Sequence, residues 1–212
     1  MAATGDRADL STDARTDYAG LLAASRRVDW RFLLPDPELG HVACSADADP
    51  SLVHACRLFG RSLTLLGQAR EEPAPASVDV LVLVDPQRDE LGSALDLVRP
   101  AGWVYLEVHG PLTRRGRRLR RPRFPSDHAA ELRGLGLDQV EAYWHWPDFD
   151  SCTEIMPLGE PAAIRGSLLR RQESRGRSAL VSVARLLLAT RLLPLAVTHG
   201  SVIGRRPVGG DA

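Results

Sequence analysis

The chain has 212 residues, 44% hydrophobic and 25% charged, a balance that predicts one packed domain and excludes a mainly disordered protein. The formal net charge is zero but unevenly spread: RRGRRLRRPR, residues 114–123, holds seven arginines and no acid, so the remainder carries −7. Cys44, Cys56 and Cys152 show no C-x-x-C spacing, which speaks against a disulfide framework or a structural zinc site and suits a reducing, cytoplasmic setting.

In chain order, residues 1–20 are polar and acidic, without the basic-then-apolar order of a signal peptide, and read as loosely ordered. Residues 1–25 form an N-terminal arm or helix, with YAGLLAASRR as a short helix. VDWRFLLPDPELG follows, where Pro35 and Pro37 impose an extended approach. HVACS, residues 41–45, is a short apolar strand. In PSLVHACRLFG, Leu52, Val53, Cys56 and Phe59 recur at helical spacing between Pro50 at the start and Gly60 at the stop.

SLTLLG, residues 62–67, predicts a second strand and EEPAPAS a proline-rich loop. VDVLVLVD, residues 78–85, is nearly all Val and Leu, as a central parallel strand covered on both faces should be. RDELGSALDLV has helical periodicity, RPAG reads as a turn, and WVYLEVHG, residues 103–110, as the next buried strand. After the arginine run, SDHAAELRGLG predicts a short helix with Ser126 as N-cap and Gly134 and Gly136 at its end. DQVEAYWHWP is a strand. Residues 147–193 form a helical insertion: a Pro-bounded segment, DFDSCTEIMPLGEP, then two helical stretches. LAVTHGSVIGRR, residues 195–206, closes the domain as a last strand, with residues 207–212 as a tail.

Strands alternating with helices predict an α/β, doubly wound, mostly parallel sheet over residues 26–206. The apolar stretch at residues 178–197 is divided by Arg185 and Arg191 and ended by Pro194, so a membrane-spanning helix is not expected. A packed amphipathic helix is the plainer account, with peripheral membrane contact as the alternative.

The order of elements resembles the Rossmann-like fold of class I S-adenosylmethionine-dependent methyltransferases. The likeness is carried by residues 78–110, similar to that family's fourth strand, following helix, glycine-pair turn and fifth strand, with Asp79 at the usual acidic position and Ala101-Gly102 in place of the glycine pair. YWHWPDFDSCTEIMPL, residues 143–158, is similar to a segment after the sixth strand in methyltransferase-like domains associated with glycan and cell-envelope genes. The resemblance implies S-adenosyl-L-methionine as cofactor and a glycan-related or other anionic small substrate. Two features depart from it. The turn after the first strand, CSADADP, has no glycine, and the end of the second strand offers Leu66 and Gly67 where the family places an acid for the ribose hydroxyls.

Two readings stay open. In the enzyme reading Ser45, Ala46, Asp47, Asp49, Gly67 and Asp85 hold the cofactor, and Asp85 and His109, at the carboxyl ends of the strands, serve catalysis with His109 as general base. In the alternative, Asp47 and Asp49 cap a helix, Asp85 begins a turn, and the protein is a catalytically silent relative that binds a partner protein or anionic polymer. Arg117, Arg118, Arg120 and Arg121 are substrate-side candidates because planar guanidinium groups hold anions bidentately. A solvated loop explains the run equally well, and nucleic acid is disfavoured by the absence of interleaved aromatics. Trp144, Trp146 and Phe149 either border the substrate mouth or pack. The remaining histidines show no metal-ligand spacing, and no metal is expected.

Overall fold

The computed structural model describes residues 9–68, 73–110, 123–172, 186 and 193–208. The run VDVLVLV forms β3 (Val78–Val84), in which every residue but Asp79 is buried, as a strand covered on both faces requires. β1 (His41–Ser45) pairs in parallel with β2 (Ser62–Leu66) and with β3, and β3 pairs in parallel with β4 (Val98–His109). β5 (Asp138–Trp146), β6 (Glu154–Pro157) and β7 (His199–Arg205) complete a seven-stranded sheet of order β2-β1-β3-β4-β7-β5-β6. β7 runs antiparallel between β4 and β5, and β6 is antiparallel to β5 at the edge.

Helices cover both faces. α1 (Asp9–Arg27), the 3-10 helix Asp29–Leu33 and α2 (Pro50–Phe59) pack Ala24, Trp30, Leu52 and Cys56 on the Val82, Tyr105 and Ile203 side of the sheet. α3 (Arg88–Leu95) and α4 (Pro125–Gly134) pack Leu91, Ala94 and Leu132 on the Leu81, Leu106 and Val202 side. α5 (Pro161–Gln172) seats Ile164 and Leu168 against Trp144 and Met156. Since β3, β4 and β1 are parallel, their carboxyl ends share one edge, where open α/β sheets bind ligands.

Several local expectations are corrected. Residues 9–20 belong to α1 rather than to a loose arm, a helix whose final turns bury Ala24 and Arg27 under the sheet face. Arg99–Gly102 is part of β4, not a separate turn. Ala101 takes a φ of 63° at a register shift, while its N–H donates to the Arg206 carbonyl at 3.0 Å and keeps the segment in the ladder. α4 begins at Pro125, so Ser126 lies inside its first turn, and the Asp127 carboxylate accepts the Phe124 N–H at 2.8 Å. The insertion before β7 contains β6 as well as helix; four residues carry no readable periodicity, and pairing with β5 decides their state. Among the described residues no helix is long and apolar enough to cross a membrane. Most of the 178–197 stretch lies outside the described residues.

Candidate active site

The turn after β1 is built without glycine because its backbone does not need one. The Ser45 carbonyl accepts the Ala48 N–H at 3.1 Å, Asp49 Oδ1 accepts the Ser51 N–H at 2.8 Å to start α2, and Pro50 occupies the first helical turn. No residue between 45 and 49 has a positive φ. Ser45 Oγ accepts the Val84 N–H at 3.3 Å, tying the end of β1 to the end of β3. At the end of β2, Gly67 has a φ of 74°, a conformation that favours glycine.

Between this turn, the end of β2 and α3 lies a pocket of about 480 Å³. Leu66, Leu83 and Leu97 give it an apolar floor, and Asp47 and Glu90 bring two carboxylates to it. No arginine or histidine lines it among the described residues. Glu90 Oε2 accepts the Gln87 N–H at 2.8 Å, so the third residue of α3, whose carboxylate caps the helix, also faces the pocket.

Beside the pocket, toward α1, Asp85 follows β3 with a φ of 45°, which aspartate tolerates better than most residues. Asp85 Oδ1 accepts the His109 N–H at 2.9 Å, and Oδ2 lies 3.3 Å from His109 Nδ1. Burial alone would lower the His109 pKa, but the hydrogen bond and charge of Asp85 outweigh it and raise it above its ordinary value. With Nδ1 held, Nε2 is the nitrogen left to exchange a proton with a ligand.

The remaining space on the α1 side is filled by side chains. Arg27 and Glu107 form a buried bidentate pair, with Nη2 2.9 Å from Oε2. Burial pulls the Arg27 pKa down, and the charge and hydrogen bonds of Glu107 more than restore it. Arg27 Nε donates to Ser51 Oγ at 3.1 Å and lies 3.1 Å from Asp150 Oδ1. Phe149, 4% exposed, places its ring 5.2 Å from that of His109, 4.8 Å from His145 and 5.5 Å from His199, with the Arg27 guanidinium 5.4 Å away. His145 Nε2 is 2.8 Å from Ser201 Oγ, and burial pushes its pKa down to about 3. Burial lowers the His199 pKa too, helped by the nearby His109.

No family model and no curated protein matches the sequence. Among solved structures, a SAM-dependent methyltransferase of Archaeoglobus fulgidus aligns with a TM-score of 0.50 and 10% identity over 88% of this chain and 94% of its own. The fold is that of the class I S-adenosylmethionine-dependent methyltransferases. A SAM-dependent methyltransferase of Thermotoga maritima aligns with a TM-score of 0.48 and 11% identity over 93% of this chain and 97% of its own.

On this methyltransferase fold the expected site residues fall in different places. Ser45, Ala46, Asp47 and Gly67 line the pocket. Asp49 caps α2, and its pKa, which burial would raise, is lowered by its bonds to Ser51. Asp85 and His109 meet as a pair one step toward α1. Trp144 is buried against Met156 and Ile164, and Trp146 packs edge-on against it at 5.2 Å. Arg117, Arg118, Arg120 and Arg121 lie outside the described residues. Asp79 sits at the opposite edge of the sheet, where it accepts the His41 N–H at 2.6 Å and pairs with Arg99. Among the described residues no group of acids, histidines and cysteines could hold a metal ion. Glu90, Arg27 and Glu107 were not among the sequence candidates, whereas Phe149 was and stands beside His109. Glu90 had a readable signal as the third residue of a capped helix, whereas Arg27 and Glu107 meet only through long-range packing.

Proposed function

We propose that the protein is an S-adenosylmethionine-dependent methyltransferase, with its cofactor in the pocket between the β1 turn, β2 and α3 and its acceptor brought to His109. The observation that carries the reading is the lining of that pocket: two carboxylates and, among the described residues, no cation, at the edge where open α/β sheets meet their ligands. A phosphorylated nucleotide would bring like charge against Asp47 and Glu90, whereas a sulfonium nucleoside brings the opposite charge. Leu66, Leu83 and Leu97 offer apolar contact to a purine, and the carboxylates of Asp47 and Glu90 are acceptors for hydroxyl or ammonium groups, which offsets the missing acid at the end of β2.

When bound, the cofactor supplies an electrophilic methyl group. Asp85 fixes the tautomer and orientation of His109, whose Nε2 accepts a proton from the acceptor. The acceptor we favour is a glycan-related or other anionic small molecule, a reading supported by the arginine run that follows β4 in sequence. A cytoplasmic setting is supported by three buried cysteines that are free. A catalytically silent relative is the second reading, favoured by Phe149 filling the space over His109.

The deciding experiment is a thermal-shift and calorimetric titration with S-adenosylhomocysteine, NADH and ATP. S-adenosylhomocysteine should raise the melting temperature by mass action, and the phosphorylated ligands should not. Glu90→Arg should weaken S-adenosylhomocysteine about tenfold, or roughly 1.4 kcal/mol. A flat response at millimolar S-adenosylhomocysteine rejects the enzyme reading.

A further inference from the structure

We propose that the connection between β5 and β6 is a latched gate: Phe149 occupies the place that an acceptor must take beside His109, and release of Asp150 from α1 and α2 lets the ring leave. The role of His109 rests on the functional reading above; the latch itself rests on contacts within the chain.

Three observations carry it. The connection is a self-contained turn. Its base closes through the Thr153 N–H to the Trp146 carbonyl at 2.8 Å, and Asp148 Oδ1 accepts both the N–H and the hydroxyl of Ser151, at 2.7 and 2.8 Å. Such a turn can swing about its base without losing its internal bonds.

Phe149 is buried, yet none of the three hydrophobic clusters formed by the described residues includes it. Its ring sits instead among the imidazoles of His109, His145 and His199 and the guanidinium of Arg27. A phenyl ring accepts no strong hydrogen bond from His109 or His199, whose Nδ1 atoms alone are engaged among the described residues, by Asp85 and Thr198, whereas a polar ligand in the same place does. The site therefore exchanges its own side chain for a ligand without opening any of these three clusters.

The tie that holds the turn down is exposed. Asp150 has a side-chain exposure of 73%, accepts the Ser51 hydroxyl at 2.9 Å on α2 and lies 3.1 Å from Arg27 Nε on α1. Water competes with these contacts, so they are weak. The Arg27–Glu107 pair beneath is shielded and persists when the turn lifts. Opening then leaves Arg27, His109 and His199 facing the vacated space, while Cys152, whose Sγ is 3.7 Å from His145 Nδ1, stays as the anchor of the turn on β5.

The test is acylation of the full chain by diethyl pyrocarbonate, read histidine by histidine by peptide mass spectrometry. Exposed His54 on α2 serves as internal standard, and fully buried His128 on α4 reports unfolding. In Asp150→Asn, the rates at His109 and His199 relative to His54 should rise about fivefold, the population change that an exposed ion pair controls. Phe149→Ala should raise them further. Should Asp150→Asn expose His128, Ser51→Ala removes the same tie from α2 and is read in its place. Unchanged His109 and His199 rates in a variant that keeps His128 protected overturn the gate. The same samples are titrated with S-adenosylhomocysteine. Stabilisation without a change at His109 defeats the gate and leaves the enzyme reading, and a change at His109 without stabilisation does the reverse.

Discussion

The two halves of the carboxyl edge are built by different means. The half toward α3 is an open pocket made of strand ends and the turns that follow them, Ser45–Asp47, Leu66–Gly67 and Leu83–Val84, whose positions are fixed by parallel register. The half toward α1 is filled by Arg27, Glu107, Phe149 and three histidines, which come from α1, four strand positions and the β5–β6 connection. Backbone ladders make the first half rigid and preformed, as a cofactor site requires. Side-chain packing makes the second half adjustable, which suits an acceptor that must enter and leave.

The sharpest way to break the contrast is to remove one member of the buried ion pair. Arg27→Met strands the Glu107 carboxylate without its partner, and urea denaturation should show a loss of about 3–5 kcal/mol. Arg27→Met with Glu107→Leu should recover most of it, since the charge is no longer orphaned. A single variant as stable as wild type would show that the α1 half does not depend on the pair.

Next in size is acid sensitivity. His145, at about 3, is neutral in the folded chain and near 6.5 when unfolded, so the unfolded state binds the extra proton and stability falls as pH drops below 6.5. Between pH 6.5 and 4.5 the part due to His145 should be about 2 kcal/mol. The difference between wild type and His145→Gln over that range measures it, and parallel curves would remove His145 from the account.

The smallest effect concerns the pair that joins the two halves. Asp85→Asn keeps an oxygen for the His109 N–H but removes the charge, so the His109 pKa should fall, read by NMR titration of the ring. Because that pKa is raised in the folded chain, the pairing stabilises below pH 6.5 and is lost as pH rises through the folded value. Asp85→Asn should remove this slope. An unchanged titration would show that Asp85 positions the backbone alone.

Legibility in the sequence followed the range of the interactions. VDVLVLV announces β3 because burial on both faces selects continuous Val and Leu, and Asp49-Pro50 announces α2 because a cap and a fixed φ act within a few residues. The strand ends at Ser45, Gly67, Asp85 and His109 follow from those elements, so the edge of the sheet was readable before its shape was known. Ala101 misled because Arg-Pro-Ala-Gly has turn chemistry, and only its bonds to Arg206 show that it stays in β4.

By itself the sequence determined the parallel strands β1 to β4, the helices between them and the carboxyl edge at which sheets of this kind meet ligands, since apolar periodicity, caps and breakers act locally. Tertiary structure alone decided what stands at that edge. It brought Glu90 of α3 to the end of β2, joined Asp85 to His109 across neighbouring strands, and buried Arg27 on Glu107, 80 residues away, beneath Phe149. Such contacts leave no periodic trace, because each depends on where several distant elements pack rather than on any spacing along the chain.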